Sequence, residues 1–521
     1  MNGRLLILML ILGTALAGLD FSAAQAQAPA DSYTIPGYVD KRLQEVTAEF
    51  DVRPASRVKL SMSLRDAAHQ ALDNHPGLHA TWHRGMAQGA EAQGLWGEFD
   101  YTLTAGLNMP VATETLAYSK ELARVSLAKR FTTGSSLAVE YHLDRDPDGL
   151  FVSGNGESRL YRHRFGVRAV QPLARGRGQD ANLAGLRAAT ADFEAESAYY
   201  RRYAQEVVFS VERAYWKHFA AQRSVTVYED ALSAAQGLQA LSRSQYEAGE
   251  LSRLELIVAE AGVASRREGV IIAGIEVDKS RDALLALLVG SSSPSWLSAE
   301  VQLLTQPDTT AGVADALPTL DHILAQRHDF AAVEQALTAA DLRVVEARNL
   351  GADRIDLVLE SGYATMGSSL GTQYEDPTSG QPVSGPYIFA GVEVAFALPG
   401  SRAGGANRQA AANREAAHWN RETAVRAIVL EIRQGYLDLE SSLERIRVTR
   451  TARAAMEEQL RGERGRFAMG QTSNQSALLS ENELRSAKIR EIRALADLQV
   501  ARARLRLAAG TTLDHFDLGL E

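Results

Sequence analysis

The 521-residue sequence contains no cysteine. That absence excludes disulfides, thiolate zinc sites, iron–sulfur clusters and a lipid-modified N-terminal cysteine together, so any stapling must come from packing or oligomerisation. Cations are in the minority, with 55 Lys and Arg against 64 Asp and Glu and a net charge of -9. Nucleic acid is therefore excluded as a partner, because affinity for a phosphate backbone comes from clustered cations. Long apolar runs are confined to Leu5 to Leu19, which is short of the roughly 20 residues a spanning helix needs. This run follows the cationic start Met1-Asn2-Gly3-Arg4 and precedes Ala24-Gln25-Ala26-Gln27-Ala28, which offers two overlapping A-x-A cleavage sites. Residues 1–28 read as a secretory signal peptide, with a retained signal anchor as the alternative. No later segment is apolar enough to span, so the mature chain enters a membrane only as a closed β-barrel.

What is present is a duplication. Each half opens with a short amphipathic helix, Leu64 to Leu72 before Asn74-His75-Pro76 and Leu320 to Leu324 before Arg327-His328-Asp329. Ser63 with Asp66 resembles a capping box at the start of the first. Alternating segments follow, closed by a Pro-Gly corner: Pro172 with Gly176 and Gly178, then Pro399-Gly400 with Gly404 and Gly405. A very long helical stretch comes next, interrupted by an aromatic-x-x-Gly turn, Tyr246 to Gly249 or Phe467 to Gly470. The halves end alike in Leu288-Val289-Gly290 and Ala508-Ala509-Gly510, and the offset between them is 221 residues at the turn glycines and 220 at these final glycines. The organisation is thus a signal peptide at 1–28, an N-terminal extension at 29–60 and a first repeat at 61–290. A Ser/Thr/Pro-rich linker at 291–317, a second repeat at 318–510 and a short tail at 511–521 complete the chain.

Asn182 to Ala248 contains no proline, and as one helix it would span about 100 Å at 1.5 Å per residue. In its counterpart, Ala406 to Arg466, the residues Val425, Ile428, Ile432, Tyr436, Leu439, Leu443 and Ile446 recur at the 3.5-residue period of a coiled-coil seam. A shift of 221 residues gives a more polar copy, Ala204, Val207, Val211, Tyr215, His218, Gln222 and Val225. By themselves these helices also suit a soluble bundle or a filament stalk. Period-two segments run from Tyr101 to Met109, Val125 to Phe131, Leu137 to Leu143, Tyr161 to Val170, Ile355 to Tyr363 and Ile388 to Leu398. In the fourth, Tyr161, Phe165, Val167 and Ala169 share one face and Arg162, Arg164 and Arg168 the other. Such segments suit a transmembrane barrel with lipid on one side and an aqueous lumen on the other, which makes the three arginines lumen candidates. Phe99, Tyr101, Tyr141, Tyr161, Tyr363 and Tyr387 would form interfacial girdles, although an ordinary antiparallel sheet shows the same pattern. Four or six strands cannot close a wide barrel, so a barrel requires oligomerisation.

Chemical motifs are weak. Gly176-Arg-Gly178-Gln-Asp-Ala181 follows a strand and opens a helix like a dinucleotide fingerprint, but no short helix returns the chain to a parallel strand. His75, His79 and His83 have metal-ligand spacing on a helix, yet Pro76 puts His75 at or outside its end. With no nucleophile elbow or P-loop, the sequence reads as a non-enzyme without cofactor or metal.

The duplicated order of short helix, strands, Pro-Gly corner, long helix, aromatic turn and return helix resembles the TolC-like outer-membrane factors of Gram-negative efflux and type I secretion systems. The strings that carry it are Gln171 to Gly178, Tyr246 to Ser252, Phe467 to Ser473 and Arg506 to Gly510. The resemblance implies an α+β membrane protein, a homotrimer in which each chain gives strands to one shared transmembrane β-barrel and long helices to one coiled-coil tunnel. It implies an outer-membrane location extending into the periplasm and held by the barrel and lipid alone. The partners it implies are a periplasmic adaptor and an inner-membrane pump that dock near Tyr246, Gly249, Phe467 and Gly470. Export of small molecules such as drugs, metabolites or metal ions is the expected function; a type I protein-secretion duct and a soluble periplasmic scaffold are the alternatives. Two departures stand out. Family members often carry Arg and Asp residues after the second tip glycine, where this sequence has Thr472, Ser476 and Leu479, while Glu255 remains a candidate acidic gate residue in the first tip. The pair Val125 to Leu143 looks like an additional hairpin turning at Thr133-Gly134, either two more barrel strands or an extracellular flap.

Overall fold

The computed structural model describes residues 59–108, 120–146, 160–289, 299–308, 319–367, 384–396, 400–469 and 471–519. The segments expected as signal peptide, nearly all of the N-terminal extension and most of the linker lie outside them, as do Leu398, Pro399 and Gly470. The chain divides into two compact units, residues 1–60 with 291–300 and residues 61–290 with 301–521. All of the described helices and the large sheet belong to the second.

In chain order the elements are β1 (Lys59–Met62), α1 (Leu64–Asn74), α2 (Pro76–Gly94), a 3-10 turn (Leu95–Phe99), β2 (Tyr101–Leu107), β3 (Lys120–Arg130), β4 (Ser136–Asp146) and β5 (Leu160–Pro172). They continue with α3 (Gln179–Glu247), α4 (Arg253–Leu288), β6 (Glu300–Leu303), α5 (Leu320–Gln326), α6 (His328–Leu350), β7 (Arg354–Gly367), β8 (Ser384–Ala395), α7 (Ser401–Ala468), α8 (Asn474–Ala509) and α9 (Thr512–His515). The duplication is plain in the lengths: α3 and α4 have 69 and 36 residues, α7 and α8 have 68 and 36. The capping box of α1 is formed, with the Ser63 hydroxyl accepting from the Asp66 N–H and the Asp66 carboxylate accepting from the Ser63 N–H.

The long helices lie side by side in rows. Nearer the sheet the row is α2, α3, α6, α7; beyond it the row is α4, α3, α8, α7. The expected seam packs these rows: Leu439 and Ile446 of α7 meet Ala494, Leu498 and Ala501 of α8, with Leu443 alongside. Small residues set the close approach elsewhere, as where Ala188 and Ala191 of α3 meet Ala339 of α6. The polar copy of the seam is buried as well, and its polar members pair. His218 Nδ1 lies 2.9 Å from the Ser280 hydroxyl, and Gln222 Nε2 lies 3.1 Å from His218 Nε2 while donating to the Val301 carbonyl at 2.7 Å. Burial pushes the His218 pKa down to about 4, so the ring is neutral.

The large sheet is antiparallel throughout, in the order β2-β3-β4-β5-β7-β8. The extra hairpin β3–β4 therefore sits inside the sheet between β2 and β5. Its turn lies at the helical end, where the Gly178 N–H donates to the Thr133 carbonyl and Arg130 donates to the Asn182 side chain. A flap at the far end is thereby ruled out. A second sheet pairs β1 with β6. These four-residue strands fall at the edges of regions read as an extension and a linker, and no periodic signal of that length is visible in the sequence.

Candidate functional site: the two-faced sheet, its corners and the helical tips

The register assigns every sheet residue to a face. One face gathers Leu103, Ala105 and Leu107 of β2, Val125 and Leu127 of β3, Leu137, Val139 and Tyr141 of β4, and Phe165 and Val167 of β5. Leu357, Leu359 and Tyr363 of β7 and Ile388, Val392 and Val394 of β8 complete it. These large apolar side chains stay open: Leu103 is 71% exposed, Leu107 84% and Ile388 78%. A continuous exposed apolar face of this extent marks contact with lipid or another chain. Tyr101 closes its helical end with the Lys129 ammonium 4.1 Å from its ring centre, an arrangement that suits a membrane interface.

The opposite face is charged and internally paired. Arg164 bonds Asp144 at 3.0 Å, Arg168 bonds Glu393 at 3.2 Å, Arg124 bonds Glu121 at 2.7 Å, and His142 sits between Glu121 and Glu140. Arg162, Arg164 and Arg168 thus share the polar face, as their alternation predicts. Tyr387 does not join a girdle. The β8 register puts it on the polar face, where its hydroxyl donates to Glu360 at 3.0 Å and its ring covers Gly362 and Gly166. A Cβ on Gly362 would meet the Phe165 carbonyl at 2.3 Å and the Gly166 Cα at 2.7 Å.

The corners convert strands into helices by glycine geometry. Pro172 ends β5, Gly176 and Gly178 have φ of 83° and 87°, and Asn182 donates to both of their carbonyls at 2.6 and 2.7 Å. Gly400 repeats the device before α7 with φ 75°. The dinucleotide-like glycines therefore serve a strand-to-helix turn. His75 caps the α1–α2 junction with its ring against Tyr203, while His79 Nε2 lies 2.8 Å from the Asp73 carbonyl. Among the described residues no group of three His, Asp or Glu converges as a metal site.

At the other end of the helices, α3 stops in a turn where Gly249 has φ 80° and the Glu250 N–H reaches back to the Gln245 carbonyl at 2.8 Å. This is the Schellman closure. The second tip repeats the bond from the Gln471 N–H to the Arg466 carbonyl at 2.9 Å. Tyr246 and Thr472 flank these turns, Phe467 is half-buried, and the return helices start alike. Ser252 accepts from the Glu255 N–H, and Ser473 accepts from the Ser476 N–H. Glu255 and Ser476 therefore occupy equivalent first-turn positions, where a carboxylate also meets the positive end of the helix dipole.

Two buried charge clusters tie the helices together and were not visible in the sequence, where charges on helices read as solvated faces. Near the tips, Arg266 of α4 donates to the Leu478 carbonyl of α8 at 3.3 Å and lies 3.6 Å from Glu481. Burial pushes the Glu481 carboxyl up against the pull of Arg266 and Arg464. Midway along, Arg327 is 2% exposed and donates to Asp329, to Glu431 at 2.8 Å and to the Ala508 carbonyl at 2.8 Å. Arg202 from the first repeat reaches the adjacent Leu507 carbonyl at 2.9 Å. Burial opposes the Arg327 charge, and the carboxylates of Asp329 and Glu431 more than restore it.

No helix among the described residues is long and apolar enough to cross a membrane. A family model for outer membrane efflux proteins matches residues 124–290 and 319–511. The alkaline protease secretion protein AprF of Pseudomonas aeruginosa is 26% identical over 327 residues, 62% of this chain and 64% of that protein, somewhat under two thirds of the relative's length. The fold matches the outer membrane protein VceC of Vibrio cholerae with a TM-score of 0.62 at 16% identity, covering 86% of this chain and 96% of that one. It matches the CmeC outer membrane channel of Campylobacter jejuni with a TM-score of 0.61 at 14% identity, covering 86% of each. The two-faced sheet, the glycine corners and the paired long helices are those of a TolC-like channel, not an enzyme, and the chain belongs to the outer membrane efflux protein family, whose members are outer-membrane channels that extend into the periplasm.

Proposed function

We propose that three copies of the chain close head to tail into one duct that carries cargo from a periplasmic adaptor and an inner-membrane pump to the cell exterior. The observation that carries this reading is the alignment of open edges. Among the described elements the sheet ends in β2 on one side and β8 on the other, and the helical rows end in α2 and α4 on the β2 side and α7 on the β8 side. Exposed apolar residues mark both flanks, Trp82, Met86 and Ile271 on one and Trp419, Leu430 and Leu437 on the other. Two different, complementary flanks are what a closed ring of heterologous contacts requires. The turns at Tyr246–Gly249 and around Phe467 and Thr472 are the docking points for the adaptor, and Glu255 with Ser476 lines the entrance. The paired charges around Arg162, Arg164 and Arg168 line the exit. Energy comes from the pump, and the chain performs no chemistry.

For the cargo, the named role of the AprF relative favours a polypeptide in a type I secretion system. The family's description favours small-molecule efflux, the second reading. Deletion of the gene separates them. Secreted polypeptides retained in the cell with unchanged tolerance of drugs and metals support secretion, and the reverse pattern supports efflux. No change in either, with the chain recovered from the soluble periplasm, overturns the duct in favour of a scaffold.

A further inference from the structure

The hairpin β3–β4 adds two strands to each copy, and its placement carries a consequence for the bore of the exit. We propose that the membrane barrel is an eighteen-stranded wall, six strands from each of three copies, and that its circumference matches the helical tunnel so that the duct does not narrow where it enters the membrane. The inference rests on the trimeric duct proposed above.

Three observations carry it. First, the hairpin alternates like the rest of the sheet. Val125, Leu127, Leu137, Val139 and Tyr141 fall on the apolar face, and Arg124, Ser126, Glu140, His142 and Asp144 fall on the charged face. A hairpin hanging outside the wall would meet one medium on both faces and gain nothing from this separation. Second, it is hydrogen-bonded along both of its sides, β3 to β2 over seven residue pairs from Tyr101↔Lys129 to Leu107↔Ala123, and β4 to β5 from Ser136↔Val170 to Asp146↔Leu160. Its turn is clamped at the helix base. Gly178 donates to Thr133 at 3.0 Å, Arg130 pairs with Glu98 at 3.1 Å, and a Cβ on Gly134 would lie 1.9 Å from the Gly176 carbonyl. Third, the widths agree. Strands ~4.8 Å apart and tilted by ~40° each take ~6 Å of circumference, so six strands take ~38 Å. Four helices packed at ~9 Å between axes take ~36 Å. Strands β2, β5, β7 and β8 alone would cover only ~25 Å by the same spacing and force a taper.

Closed from three copies, the wall has a backbone diameter of roughly 36 Å, against roughly 24 Å without the hairpin. The wider exit accommodates a polypeptide chain carrying local structure, and its inner surface carries cations and carboxylates in pairs, which leaves no single-sign field to select by charge.

The test uses the full chain in lipid nanodiscs, imaged by electron cryo-microscopy to count strands around the barrel. Eighteen strands, with β2 of one copy beside β8 of the next, are expected. A wall of twelve, with β3–β4 outside it, overturns the inference while leaving the duct intact. A particle that is not a membrane-embedded trimer overturns both. Because the chain has no cysteine, a second measurement is available: single cysteines introduced on the apolar face of the hairpin, at Leu127 and at Val139, in the otherwise native chain. Labelling by a lipid-phase maleimide to the same extent as Phe165→Cys is expected, and labelling only by a water-soluble maleimide overturns the inference.

Discussion

The neutral His218 makes a worked prediction about acid. Its ring is 1% exposed in the seam between α3 and α4, and burial holds its pKa at about 4 against about 6.5 for a free histidine. Between those values the unfolded chain binds a proton that the folded chain does not, so this residue's contribution is full above pH ~6.5 and is lost as the pH falls toward 4. A displacement of that size corresponds to about 3 kcal/mol per chain. The perturbation is His218→Leu, which removes the titration without stranding its neighbours. Gln222 keeps its bond to the Val301 carbonyl, and the Ser280 hydroxyl keeps its bond to the Val277 carbonyl at 2.9 Å. Trp216, 3% exposed two residues away, reports local unfolding by fluorescence. Guanidinium midpoints measured between pH 7.5 and 4 should fall for both proteins, because His328 and His515 are also held below their ordinary pKa by burial. Converted to unfolding free energy, the fall should be smaller for the variant by about 3 kcal/mol. Parallel curves for the two proteins would refute the reasoning.

Other consequences are as direct. Arg327→Met leaves Asp329 and Glu431 with Arg202 as their remaining shared cation and takes one donor from each of the Leu507 and Ala508 carbonyls; a loss of about 3 kcal/mol is expected in the same unfolding assay. Gly362→Val should abolish assembly into heat-resistant oligomers on gels, whereas Gly385→Val, whose Cβ meets nothing within 4 Å, should assemble normally. Gly249→Ala forces a side chain into φ 80° and should cost about 1–2 kcal/mol, while Gly237→Ala, in open space within α3, should stabilise by about 0.5–1 kcal/mol. Glu212, fully buried with its carboxyl pushed to about 7 by burial against the pull of Arg506, works in the opposite sense to His218. Its raised pKa is a contribution present below pH ~4.5 and lost as the pH rises through 7, so Glu212→Gln should remove this residue's share of the decline between pH ~4.5 and ~7.

The sequence made the repeat legible because its punctuation is glycine, and glycine is demanded by backbone geometry. Gly176, Gly178, Gly249, Gly400 and Gly510 all take positive φ, so each marks an obligatory turn. Alternation likewise disclosed the two faces of β5, since Arg162, Arg164 and Arg168 cannot share a side with Phe165 and Val167. Tyr387 escaped because an aromatic residue near a strand end suits either face, and only the β7 pairing decides. The direction of the β3–β4 hairpin escaped for a similar reason, as Thr133-Gly134 signals a turn without saying at which end of the sheet it lies. Arg266 and Glu481 looked like solvated helix charges, and only the approach of α4 to α8 buries them.

Because the central claim is that the two faces of the sheet meet different media, the most direct test is site-directed labelling in intact outer membranes. Leu103→Cys, Leu127→Cys and Leu359→Cys should react with a lipid-phase maleimide and resist a water-soluble one. Thr104→Cys, Ser126→Cys and Ala364→Cys, on the polar face of the same three strands, should show the reverse. Equal reaction of both sets with the water-soluble probe would contradict a membrane-embedded channel.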